Sequence, residues 1–399
     1  MRVPVRATAF LVFLSAAARS QQPVTRQQAV ESAVSRGARS AVARADTLVG
    51  AAQLLTARQW DNPALSASYS KSTPHYHEIV DLPLDLTGIR SARVRSAQAT
   101  RLASQYRFRF ARAAAALDAD TTYTRVLAAI ERLHLARRNA KDADSLRRMA
   151  IVRRDAGDAS ELDVLLAAVN AGQAANLAAG DSITVVSTLF DLQAVMGLDS
   201  ILVSIVPVDS LTLPPASAET DVTAALALPV VAAEQAVAAA DLSVRVQRRS
   251  LFTPLSIQAG LEHGDPSEPG LLPTIGLSIP LPILNRNRGP IAQAEAERER
   301  ARAELALAQI ETRSAVGRAL RQRNLALEKI RRDRLLVESA NRIAAMSLTA
   351  YREGAQGLPA VLEAQRNARE ILSQYIDDLA DAWISTAILR LYALTANSR

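Results

Sequence analysis

Pro280-Leu281-Pro282-Ile283, then a turn, then a polar, Ala/Arg-rich run from Gly289 to Gly354, repeats a plan that occurs earlier in the chain. There, Pro83-Leu84-Asp85-Leu86 leads into a run from about Ser91 to Gly157. At the offset 354 − 157 = 197, Val94 falls on Ile291, Ala97 on Ala294 and Ala99 on Ala296, and Val164-Leu165 falls on Val361-Leu362. One register thus joins features at both ends of two long helices. A repeat of this kind comes before any element assignment, because it fixes the architecture.

The repeats divide the chain. Residues 21–198 form repeat 1, residues 199–217 a linker, and residues 218–399 repeat 2. In repeat 1 a helix is expected from Gln27 to about Gln59, closed by Trp60-Asp61-Asn62-Pro63, since Pro63 disfavours helix at the residue before it. Strands follow over about 64–71 and 79–87. In the second, Val80, Leu82, Leu84 and Leu86 alternate with Asp81, Pro83 and Asp85, the period-two mark of a strand with unlike faces. The period then turns helical. Gly88 to Gly157 has no internal glycine, and at 1.5 Å per residue it predicts a helix of about 100 Å. The tip lies near 156–160, where Ser160 followed by Asp163 reads as a helix start. In repeat 2 a helix from Ala218 to Arg249 is closed by Pro254. Strands over about 255–263 and 272–282 show cleaner alternation. A second long hairpin, with Gly317 as its internal glycine, has its tip near 354–359 and runs on to about Ala396.

Composition narrows the function. The chain has 399 residues, no cysteine, 4% aromatic and 49% hydrophobic residues. This suits long Ala/Leu helices and excludes disulfides, thiol chemistry, Cys-ligated metal and a lipid-modified N-terminal Cys. Net charge is +7. Arg is spread along helices among Glu and Asp, which reads as solvated faces and not as a nucleic-acid surface. There is no His-Glu-x-x-His, phosphate-binding glycine loop or nucleophile elbow, so no enzyme and no cofactor is expected. Residues 1–20, with basic Arg2 and Arg6, an apolar Ala7–Ala18 and the small Ala18 and Ser20, read as a secretory signal peptide. No later stretch has some 18 uncharged apolar residues, so no transmembrane helix is expected.

Four short two-faced strands beside polar helices point to a pore. Four strands cannot close a barrel, and open edges in lipid leave backbone groups unpaired at several kcal/mol each. The strands must therefore pair with other copies, and closed rotational symmetry is the usual solution. The expected fold is a mixed α/β membrane protein. A trimeric assembly would give a twelve-stranded β-barrel with four strands per chain, continued by a long α-helical barrel.

At this point the chain resembles the TolC family of outer-membrane efflux channels, over nearly all of the mature chain. The segment Ile279-Pro280-Leu281-Pro282-Ile283-Leu284-Asn285-Arg286-Asn287-Arg288-Gly289 is similar to the CzcC-type, heavy-metal branch. Leu162-Asp163-Val164-Leu165 and Ala360-Val361-Leu362-Glu363-Ala364 resemble the two periplasmic hairpin tips. The resemblance implies a homotrimer in outer-membrane lipid, docked through a periplasmic membrane-fusion adaptor onto an inner-membrane resistance-nodulation-division pump. The implied function is passive conduction of divalent heavy-metal cations outward. Drug efflux or type I protein secretion is the alternative within transport, and an exported structural coiled-coil protein is the alternative of another class. The chain departs from the family at Ala360, where TolC itself has an acid. Gln356 lies where an Arg is often described, so the gate's closing contacts do not carry over intact.

The candidate gate residues are Asp163 and Glu363, which threefold symmetry would make into carboxylate rings, and such rings favour cations. The alternative role for each is a capping or solvated acid at a helix start. Gly157, Gly354 and Gly357 are expected to supply the positive φ of sharp turns, with adaptor docking at the same tips. His75, His77 and His263 fall in the expected outer loops beside Glu78, Glu262 and Asp265, where His-x-His is a weak candidate for Zn²⁺.

Overall fold

The computed structural model describes residues 21–198, 204–215, 226–252, 255–281 and 283–394. The expected signal peptide over 1–20 and the expected helix start over 218–225 lie outside the described residues, as do Pro254, Pro282 and Ala396. The order is β1 (Gln21–Val24), α1 (Arg26–Arg36), α2 (Ala38–Arg58), β2 (Ala64–Tyr69), β3 (Tyr76–Leu84), α3 (Ile89–Asp155), α4 (Glu161–Met196), β4 (Ser204–Pro207), α5 (Leu228–Arg249), a 3-10 turn (Ser250–Phe252), β5 (Leu255–His263), β6 (Leu272–Ser278), α6 (Arg288–Arg352) and α7 (Leu358–Ala393).

Several expected boundaries move, each for a local reason. The helix expected over Gln27–Gln59 is broken at Gly37, where a Cβ would meet the Ala33 carbonyl oxygen at 2.2 Å. The strand expected over 79–87 is Tyr76–Leu84. Asp85 has another use: its carboxylate accepts from the backbone N–H of Ile89 (2.7 Å) and Arg90 (3.0 Å), so it caps α3. β2 stops at Tyr69, and β6 stops at Ser278 before Pro280, which cannot donate to a ladder. β5 has the expected bounds. α6 runs straight through Gly317, and α5 starts at Leu228.

The four long strands form one antiparallel sheet in the order β2-β3-β5-β6. Its register separates the faces. Leu65, Val80, Ala259 and Ile275 stand in one cross-strand row, and Leu82, Ile257 and Leu277 in the next. On the other face the rows are Ala64, Asp81, Gln258, Gly276 and Ser66, Ile79, Gly260, Thr274. The apolar face is bare, with Ile275 85% exposed.

A second sheet was not expected. β1 pairs in parallel with β4, inside the stretch assigned as linker. The pair is held by buried Tyr123 of α3, whose hydroxyl lies 2.8 Å from both the Val24 carbonyl oxygen and the Asp209 carboxylate. Burial, with the bond to Asp209, pushes this phenol up to about 12. Arg26 pairs with Asp120 and lies over the ring of Trp383, whose indole N–H donates to Thr212 O at 2.5 Å. Linker residue Leu211 packs against apolar clusters of both repeats.

α4 is the one described helix long and apolar enough, by length and composition, to cross a membrane. It pairs along its length with α3, and Leu165, Val169, Ile183 and Val186 remain exposed.

Candidate functional site

The two hairpin tips are built alike. At the first, Ala156 N–H donates to Val152 O, Gly157 N–H to Arg154 O and Asp158 N–H to Arg153 O. At the second, Glu353 donates to Thr349, Gly354 to Tyr351 and Ala355 to Ala350. Every donor and acceptor is displaced by 197 positions (353 − 156 and 349 − 152, for example). Bonds of this kind close a helix whose next residue is left-handed. Gly157 (φ 87°) and Gly354 (φ 75°) are those residues. Gly357 is not: with φ −77° it is an ordinary N-cap, followed by Pro359 in the first turn of α7.

Asp163 sits in a capping box. Its carboxylate accepts from Ser160 N–H at 3.1 Å, while the Ser160 hydroxyl accepts from Asp163 N–H at 3.2 Å. Glu363 is exposed, and its carboxylate has no hydrogen bond or ion pair among the described residues. The structure does not bring these two carboxylates into contact. It brings together the residues around them: Leu146, Ala150, Val164 and Ala167 of the first hairpin pack with Tyr351, Leu358 and Val361 of the second.

The contact that locks the tips was missed in the sequence. The Arg153 guanidinium lies 4.7 Å from the centroid of the Tyr351 ring, donates to Tyr351 O, and donates to Asp158 O at 3.2 Å. It also reaches within 3.5 Å of where a Gly354 side chain would begin. So an arginine does reach the second tip, but from the first hairpin. Tyr351 is 2% exposed, and its hydroxyl is buried without a hydrogen-bond partner. Burial raises its pKa; Asp163 adds to the rise and Arg153 opposes it. The available signal was a lone aromatic closing an Arg/Ala-rich helix.

Further up the helices lies a cavity of about 820 Å³, lined by α3, α4, α6 and α7. Asp378 is 1% exposed; its Oδ1 accepts from Lys329 Nζ (3.2 Å) and Gln374 Nε2 (3.1 Å), while its Oδ2 has no partner. Arg132 pairs with Asp377. Burial and contact with Asp378 raise the pKa of Asp333, and burial with Asp378 and Asp377 raises that of Asp381. A carboxyl raised above its unfolded value contributes stability that is fully present below the unfolded pKa, near 4, and lost as pH rises through the folded one. Asp333→Asn should therefore raise the melting temperature at neutral pH and leave it nearly unchanged near pH 4. Equal gains at both pH values in thermal melts would rule this out.

The three candidate histidines occupy the opposite end of the molecule. His77 is within β3 and lies 3.3 Å from Glu262, so it is not a loop residue; His263 ends β5 and stacks on Tyr76 at 4.7 Å; His75 stacks on Tyr69 at 5.8 Å. Among the described residues no group of three or more His, Asp or Glu side chains is arranged to hold a metal ion. The asparagines of the Asn285-Arg286-Asn287-Arg288 segment have structural work. Asn287 is left-handed (φ 53°) and its amide donates at 2.7 Å to Gln247 O and to the Ser250 hydroxyl, while Asn285 Oδ1 accepts from Asn287 N–H at 2.9 Å.

The outer membrane efflux protein family model matches residues 29–198 and 224–397. No curated protein matches the sequence. Among solved structures, the chain is similar to a membrane protein from Pseudomonas aeruginosa (21% identity, TM-score 0.79, covering 92% of this chain and 90% of that one). It is similar also to the Campylobacter jejuni CmeC outer membrane channel (16% identity, TM-score 0.81, covering 100% and 96%). A third is the Vibrio cholerae outer membrane protein VceC (15% identity, TM-score 0.78, covering 92% and 96%).

Proposed function

The chain belongs to the outer membrane efflux protein family, and on that premise we propose that it is the exit duct of a tripartite efflux system. Its place is the outer membrane, with the long helices in the periplasm. The alternative of an exported coiled-coil protein that never enters the membrane falls with that membership.

The observation that carries the duct reading is the sheet. β2 and β6 are open edges, and one face is apolar and bare while the other is mostly polar. In lipid those edges require strands from other copies. Three copies close a twelve-stranded barrel, wide enough for a water-filled lumen with polar residues facing inward. The exposed Leu and Val side chains of α4 then find their cover on neighbouring copies. The tips at Gly157 and Gly354, locked by Arg153 on Tyr351, form the periplasmic gate and the docking point for a membrane-fusion adaptor. That adaptor links the duct to a resistance-nodulation-division pump.

The cargo we favour is divalent heavy-metal cations. The Pro280–Gly289 segment supports it by resemblance, and the free Glu363 carboxylate supports it by charge. Deletion of the gene, followed by growth on Co²⁺, Zn²⁺, Cd²⁺ and Cu⁺ against a panel of drugs, tests the cargo. Sensitivity to drugs alone would overturn the metal reading and leave the duct intact. Within the duct, Glu363→Gln should lower cation preference in planar-bilayer recordings. Asp163→Asn keeps an acceptor for Ser160 N–H and should cost only the charge at the start of α4, roughly 0.3–1 kcal/mol of local helix stability. Unchanged ion selectivity in Glu363→Gln would remove that residue from the gate.

A further inference from the structure

The fold gathers arginines that the sequence spreads apart. All four crossings between strand and helix lie at one end of the sheet: Arg58 to Ala64, Leu84 to Ile89, Arg249 to Leu255 and Ser278 to Arg288. Three of them carry arginine within these bounds, and Arg90 directly follows the crossing from Leu84 to Ile89. Some are committed within the chain. Arg93 lies 3.7 Å from Asp61, Arg248 pairs with Glu295 at 2.6 Å, Arg249 donates to Gly88 O at 3.0 Å, and Arg90 donates to Arg58 O while stacking on Trp60. Arg58, Arg95, Arg286 and Arg288 are exposed and meet no carboxylate among the described residues. Arginines elsewhere on the helices often do: Arg300 pairs with Glu304, and Arg147 and Arg148 with Asp144.

Helix stability does not explain these cations. The first turns of α3 and α6 contain no acid, yet carry Arg90 and Arg288. A cation there opposes the helix dipole, at roughly 0.3–1 kcal/mol each. Arg95 folds back toward the sheet, its guanidinium bonding Ser91 O (3.3 Å) and the Ser91 hydroxyl (3.4 Å). Beside the arginines stand bare apolar groups, Leu284 (99% exposed), Leu86, Ile283 and Trp60. Cations next to exposed aliphatic and indole side chains, at the rim of an apolar sheet face, match a layer that is charged on one side and oily on the other.

Resting on the outer-membrane reading, we propose that this rim is a binding surface for anionic glycerophospholipids of the leaflet that faces the periplasm. Arg58, Arg95, Arg286 and Arg288 take the headgroup phosphates, for which the guanidinium fork is suited. Trp60, Leu86, Ile283 and Leu284 sit at the level of the glycerol and upper acyl chains. The lipid then fixes the depth of the barrel and covers the crossings.

The test uses the full chain in nanodiscs of phosphatidylethanolamine, with and without phosphatidylglycerol. Insertion of the wild type into phosphatidylethanolamine checks the outer-membrane reading by itself; the response to phosphatidylglycerol checks the rim. Native mass spectrometry of wild-type protein should find phosphatidylglycerol retained in excess over its share of the bilayer, and retention in proportion to supply would overturn the proposal. Each of Arg58→Gln, Arg95→Gln, Arg286→Gln and Arg288→Gln should weaken that preference, by up to about fivefold per arginine. Arg331→Gln with Arg342→Gln, on the distal part of α6, should leave it intact. Equal loss in the distal pair would mean that overall charge, not the rim, attracts the lipid. Inorganic phosphate added to detergent-solubilised protein should not raise the melting temperature; a rise matching that from phosphatidylglycerol would assign the site to free phosphate.

Discussion

Tyr351→Ala should loosen the paired hairpin tips by about 3–5 kcal/mol, the usual cost of deleting a large buried ring, and raise single-channel conductance in planar bilayers. The ring sits in the cluster that joins the two hairpins and carries the Arg153 guanidinium on its face. Removing it takes away both the packing and the platform for that cation, whose stacking contributes about 0.5–2 kcal/mol. Limited proteolysis should cut first near Gly157 and Gly354. Tyr351→Phe gives the sharper contrast. The Tyr351 hydroxyl is buried without a hydrogen-bond partner, so its loss should be neutral or slightly stabilising. Arg153→Ala should fall between the two. Tyr351→Phe as leaky as Tyr351→Ala would mean that the hydroxyl, and not the ring, closes the tips.

Ile275→Arg should stop the chain from entering the outer membrane. Ile275 lies mid-strand in β6, in the apolar row with Val80 and Ala259. An arginine on the lipid face near mid-bilayer costs about 2–4 kcal/mol, and in a symmetric barrel every copy carries it. Thr274→Arg, one residue away on the opposite face, should be tolerated, because in the proposed barrel that face looks into the lumen. Outer-membrane fractionation of the two variants reads the result directly. Equal insertion would mean that the faces are assigned the wrong way round.

The periodic features of this chain were legible. Alternation around Ile257 and Ile275 gave the strands, and the glycine-marked breaks at 157 and 354 gave the tips. Ser160 with Asp163 gave the start of α4, because a capping box is a local pattern. Boundaries failed where one residue had two possible uses. Asp85 fits the alternation of β3, yet its carboxylate is needed by the first turn of α3. Gly357 was misjudged for the converse reason: glycine near a turn can mean positive φ or a plain helix start, and here it is the start; the break at Gly37, where a side chain has no room, fell inside a run with helical spacing. Contacts between distant segments left no local trace. The Arg153–Tyr351 stack spans 198 positions, and the β1–β4 pair joins two tetrapeptides that each look like a loop. The gathering of arginines at the rim depends on four chain crossings meeting at one level, which no single window of sequence displays.

The pairing of β3 with β5 also orders events in time. It joins Leu84 to Leu255, 255 − 84 = 171 positions apart, whereas β2–β3 and β5–β6 are hairpins of neighbouring strands. Closing so large a loop is slow unless the intervening chain is already compact. The α3–α4 hairpin supplies part of that compaction from local contacts: α4 returns the chain to the level of Tyr123 in mid-α3, and α5, packed on the first part of α3, carries it back to the sheet. The helical section is thus the template on which the central seam of the sheet is sewn. Lengthening one arm of the α3–α4 hairpin without the other should delay sheet closure even where every strand residue is untouched.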